Sequence, residues 1–80
     1  MFEIGVDMKE LKQSFAKAVE ELYAVDWSET DGKDVENILN ENLKDGIAAH
    51  KDFWMVLLYS GEFVFNMFQK VIISNIISRY

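Results

Sequence analysis

From Met8 to Val25 the apolar residues Met8, Leu11, Phe15, Ala18, Val19 and Leu22 recur at three and four, with Lys9, Lys12, Gln13, Lys17, Glu20 and Glu21 between them. That spacing puts a narrow apolar stripe on one side of an amphipathic helix over about 8–25. Asp7 is placed to cap it, with Glu10 three residues on, while Lys9 in the first turn opposes the helix dipole. A second stripe, Val35, Ile38, Leu39 and Leu43, predicts a helix over about 32–44. Asp34 and Glu36 sit in its first turn, where the dipole favours negative charge, and Thr30 or Asp31 can cap it. Gly46, after Lys44 and Asp45, predicts its end or a kink.

The last third reads two ways. Phe53 to Phe68 can form two strands, 53–59 and 62–68, joined at a Ser60-Gly61 hairpin turn, which would make the fold α+β. Alternatively Ser60 caps a new helix. Beyond it Glu62, Asn66, Lys70, Ser74 and Ser78 fall at intervals of four, with Val64, Phe68, Val71, Ile72 and Ile76 on the other side. The helical pattern runs further than the alternating one. The expectation is therefore an all-α fold, a small three- to four-helix bundle with helices near 8–25, 32–44, 46–59 and 61–79, in one domain spanning 1–80.

Composition changes that picture in two ways. The 80 residues contain no cysteine and one histidine, His50, so neither a disulfide framework nor a thiolate or histidine metal cluster is available. Stability must then come from packing or from a partner. Charge is also divided unevenly: residues 1–45 hold twelve acids against five lysines, a net of −7, whereas residues 46–80 hold two acids against three bases, a net of +1. The acidic balance disfavours direct binding to nucleic acid or to anionic membrane. The amino terminus lacks the basic and apolar regions of a cleavable signal, and the apolar window from Phe53 carries Glu62, Asn66, Gln69 and Lys70. The expectation is a cytoplasmic protein with no transmembrane segment, with export by another route left open.

The stretch from Asp26 to Asn37, DWSETDGKDVEN, invites a test for a calcium loop. An EF-hand needs oxygen ligands at positions one, three and five, glycine at six and glutamate at twelve. Starting at Asp26, glycine arrives one position late and position twelve is Asn37; aligning Gly32 to position six puts Trp27 first and Ile38 last. Neither register supplies the cage. His50 is followed by Lys51 and Asp52, but Ser28 and Ser60 lack the surroundings of a nucleophile. Glycines scattered at 5, 32, 46 and 61 make no phosphate-cradling loop. No catalytic, cofactor-binding or metal-ligating residue is expected, and no enzyme.

What stands out is apolar material late in the chain, more than two narrow stripes can cover. Phe65, Ile73, Ile77 and Tyr80 are the candidate interface residues, and Glu20, Glu21, Asp26, Glu29, Asp31, Asp34 and Glu36 the candidate acidic face. The tail GEFVFNMFQKVIISNIISRY, residues 61–80, resembles the carboxy-terminal helix of type III secretion needle subunits, small proteins that polymerise through it. It lacks a diagnostic motif and the proline-bearing turn of that family, so no function carries over. The functional expectation is an acidic, non-enzymatic protein–protein interaction module of the adaptor, immunity or inhibitor type, self-associating through its apolar carboxy-terminal region. Two alternatives are a structural subunit of a helical assembly and an acidic nucleic-acid mimic that inhibits a DNA-binding protein.

Overall fold

The computed structural model describes residues 8–30 and 32–80. They form four helices: α1 Met8–Tyr23, α2 Lys33–Ala49, α3 Lys51–Tyr59 and α4 Met67–Ser78. No strand occurs among the described residues, so the fold is the all-α bundle and the 53–59/62–68 hairpin is absent. Asp7, offered as the cap of α1, and Asp31, offered as a cap of α2, lie outside the described residues.

Most of the two stripes read from the amino-terminal half enters the core, with Leu11 and Ile38 partly buried at its edge and Met8 left exposed. Phe15, Ala18, Val19 and Leu22 of α1 and Val35, Leu39 and Leu43 of α2 are buried against each other. Trp27 then closes the end of α1, its indole Nε1 donating to the Leu22 carbonyl at 3.0 Å. Gly32 opens α2 with φ 100°, a left-handed conformation that costs a residue with a Cβ and suits glycine. Thr30 accepts the Gly32 N–H at 3.2 Å, so it orders the approach to α2 rather than capping the helix itself.

The expected stop at Lys44–Gly46 is corrected: α2 continues to Ala49. Gly46 serves as a notch. A Cβ there would lie 3.3 Å from Cζ2 and 3.6 Å from Nε1 of Trp54, and 3.8 Å from Leu11. The helix breaks at His50, whose N–H donates to the Gly46 carbonyl at 2.8 Å and whose carbonyl accepts the Trp54 N–H at 3.2 Å. This break turns α3 so that Trp54, fully buried, lies between Phe15 and Phe53, each with its ring centroid 5.2 Å away.

Ser60 also behaves differently from the expectation. It ends α3 instead of starting a helix, donating to the Leu57 carbonyl at 3.1 Å and accepting the Glu62 N–H at 3.3 Å. The chain from Ser60 to Asn66 is consequently a non-helical connection, so the helix expected over 61–79 begins only at Met67. The connection is tied to α1 by the Val64 N–H donating to the Tyr23 hydroxyl at 2.9 Å and by a Lys12–Glu62 ion pair at 3.1 Å. α4 starts at a capping box. Asn66 accepts the Gln69 N–H at 2.9 Å, and the Gln69 side chain accepts the Asn66 N–H at 3.0 Å. Asn66→Ala is expected to cost about 1 kcal/mol, read as a lower urea midpoint with an unchanged slope.

α4 runs antiparallel to α3. Lys51 at the start of α3 reaches the Ser78 carbonyl at 3.2 Å, and Tyr59 at its end has the Lys70 ammonium 5.8 Å from its ring centroid. Between those ends Trp54, Leu57 and Leu58 of α3 and Ile73, Ile76 and Ile77 of α4 face the common core.

Candidate functional site

The helix pair α3–α4 has an outer side, and its composition follows from which residues turn inward. On α4 the core takes Ile73, Ile76 and Ile77, so the opposite side carries Met67, Phe68 and Val71, followed by Asn75 and Ser78. On α3 the same logic leaves Val56 and Tyr59 outside. Val64 stands beside them on the connection, 85% exposed, and Met67, Val56 and Phe68 are each exposed by more than 60%: 66%, 63% and 61%. Tyr23, held to Val64 by its hydroxyl, extends this surface onto α1. Among the described residues every exposed large apolar side chain except Met8 and Tyr23 lies between 56 and 71.

This reverses much of the expectation for the carboxy-terminal segment, although Ile76 is buried on the side expected for it. Phe65, Ile73 and Ile77, the interface candidates, are buried in the core, while Phe68 and Val71, read as the inward side, face solvent. α4 is apolar on most of its circumference, so periodicity alone leaves its rotation open. The starting point decides it: a helix begun at Met67 and seated on α3 through Lys70 over Tyr59 turns Ile73 and Ile77 inward. The N-cap pair Asn66 and Gln69 was the available signal for that start.

Tyr80, the fourth interface candidate, is half-buried, and its hydroxyl donates to the Asn40 side chain of α2. Burial raises its pKa above the ordinary 10.0, the Glu36 carboxylate adds to this, and Arg79 opposes it. Because the neutral hydroxyl is favoured by folding, this stabilisation is whole below pH 10.0 and drains away as pH rises through the folded-state value. Alkaline titration of tyrosine absorbance should show a late-ionising group that Tyr80→Phe removes.

The acidic candidates scatter around α1, α2 and the loop between them. Glu21, Asp26 and Asp34 share one open depression, joined by Glu41, with Ala24, Val25 and Ile38 at its floor. Glu41 was missed, although it follows Asp34 by seven positions and so shares its side of α2. Glu20, Glu29 and Glu36 are outside the depression, and Asp31 lies outside the described residues. Glu36 instead faces Arg79 at 3.8 Å, and Glu21 accepts from the Asn42 amide at 2.9 Å. Asp26 turns back on its own loop, accepting the Ser28 N–H at 3.2 Å and its hydroxyl at 2.7 Å. Among the described residues no group of three or more His, Cys, Asp or Glu is arranged to hold a metal ion. The hydroxyls of Ser28 and Ser60 are spent on Asp26 and on the Leu57 carbonyl.

No helix among the described residues is long and apolar enough to cross a membrane. No protein-family model, curated protein or solved structure matches the chain.

Proposed function

We propose that this chain is a small acidic, non-enzymatic protein–protein interaction module, of the adaptor, immunity or inhibitor kind, which binds partners, itself included, through the outer side of α3–α4. The observation that carries the reading is the band of Val56, Tyr59, Val64, Met67, Phe68 and Val71 left in water by a fold that, among the described residues, buries fifteen other apolar ones. Contiguous apolar surface of this kind commonly marks an interaction site. The non-enzymatic part rests on His50, Ser28 and Ser60, which serve a helix junction and two turns. The absence of cysteine suits action in a reducing cytoplasm.

Cross-linking in the cells that make the protein, followed by mass spectrometry, tests this directly. Adducts are expected to map to Tyr59–Val71 and to fall sharply in Phe68→Glu. Adducts confined to α1 and α2, unchanged in that variant, would sink the reading.

The depression bearing Glu21, Asp26, Asp34 and Glu41 favours one second reading, an acidic surrogate for nucleic acid that occupies a DNA-binding protein. Such capture would weaken steeply with salt and survive Phe68→Glu, which separates it from binding through the apolar band.

A further inference from the structure

We infer that the occupant of the outer α3–α4 face is a second copy of this chain, paired across a two-fold axis into a closed dimer. This rests on the interaction reading above and commits it to one partner and one symmetry.

Three observations support it. The first is area. Scaling the fractional exposures by ordinary side-chain areas gives on the order of 600 Å² of apolar surface for the band. That approaches the roughly 800 Å² that each partner contributes to a standard interface, and leaves a polar rim for Asn75 and Ser78.

The second is charge. From Phe53 onward the only charged residues are Glu62, Lys70 and Arg79. Glu62 is paired with Lys12, Arg79 faces Glu36 and Lys70 lies over Tyr59. Asp52, exposed four residues before Val56 on α3, and Lys70, which has a ring rather than a carboxylate for a partner, are the charges such a contact must keep at its edge, so two copies can meet here with few charges to desolvate. Pairing through α1 and α2 would instead bring Glu21, Asp26, Asp34 and Glu41 of one copy against those of the other. A strongly charged partner finds little to complement on this face, and the same sparsely charged face of a second copy fits it.

The third is distribution. Open-ended assembly requires two different complementary surfaces on each copy. Among the described residues six of the eight exposed large apolar side chains fall between Val56 and Val71, with Met8 and Tyr23 the other two, and the depression between α1 and α2 is lined by four carboxylates. One self-complementary patch gives an isologous contact, which closes at two.

Sedimentation equilibrium over a hundredfold concentration range tests the proposal, the single chain having a mass of 9.3 kDa. The expected result is a two-chain mass that does not grow further. Phe68→Glu and Val71→Asp should each weaken association by about thirtyfold, as loss of a central interface residue does, with helical circular dichroism retained because both sites are exposed. The chain has no cysteine of its own, so a single one at Val71 should couple to its counterpart through a short bis-maleimide, and one at Asp34 should not. A single-chain mass throughout, growth beyond two chains, or equal coupling at both positions would overturn the dimer. If the dimer fails but cellular adducts still depend on Phe68, the interaction reading survives with an unlike partner; if those adducts are also indifferent to Phe68, both fall.

Discussion

Trp54→Ala is expected to be the most damaging single substitution, lowering stability by about 3–5 kcal/mol. The side chain is fully buried, flanked by the tilted rings of Phe15 and Phe53, and seated in the Gly46 notch, so its removal leaves a void bordered by α1, α2 and α3 together. A domain of this length holds only on the order of 4–12 kcal/mol in total, so the variant should lose about a quarter or more of its stability and unfold at a much lower urea concentration. Urea unfolding followed by circular dichroism measures the loss directly. Trp54→Phe should behave quite differently. The indole Nε1 is buried without a hydrogen-bond partner among the described residues, and an orphan donor of that kind costs about 1–3 kcal/mol. Phenylalanine removes the orphan while sacrificing part of the packing, so the two terms oppose one another and the net change should stay within about 1 kcal/mol. A Trp54→Phe variant as damaged as Trp54→Ala would show that shape outweighs the unmet donor.

Gly46→Val should follow in severity, at about 1–3 kcal/mol, because a branched Cβ would press on a ring already flanked by Phe15 and Phe53. Gly46→Ala separates the two influences at this position. Alanine favours the helix over glycine by about 1 kcal/mol, but its Cβ would sit 3.3 Å from Trp54 Cζ2, tighter than ordinary contact. In the native background these should nearly cancel. In Trp54→Phe the six-membered indole ring is gone, so the same substitution should become stabilising. A double-mutant cycle of thermal or urea unfolding gives the coupling, and strict additivity would refute the notch.

These two positions also show where the chain was legible. The stripes of α1 and α2 were readable because each helix has a charged side to contrast with its apolar one: Lys12, Lys17 and Glu20 mark the outside as clearly as Phe15, Val19 and Leu22 mark the inside. Gly46 was read as a terminator because glycine usually follows a helix. Nothing within the local sequence announces that Trp54, eight residues on, needs the space a side chain would fill. α4 defeated the same method for the opposite reason. Apolar residues occupy most of its circumference, so contrast vanishes and the rotation is set by its cap at Asn66 and its seat on α3. The consequence for the candidate site was an exchange of identities: Phe65, Ile73 and Ile77 went inside, and Phe68 and Val71 came out. The acidic side was legible in composition, whereas the gathering of Glu21, Asp26, Asp34 and Glu41 around one depression depends on how α1 and α2 pack.

The pairing of helices has a kinetic consequence. α1 packs on α2 and α3 on α4, so each main pair is made by neighbours in sequence, and little chain must be closed before its apolar faces meet. The ties from the Ser60–Asn66 connection back to α1, such as Tyr23 to Val64 forty-one positions away, demand a far longer closure and should form last. The chain also has neither proline nor cysteine, the two usual sources of phases lasting seconds to hours. Refolding should therefore be a rapid, single-exponential event in which two hairpins form early and the strap between them locks at the end.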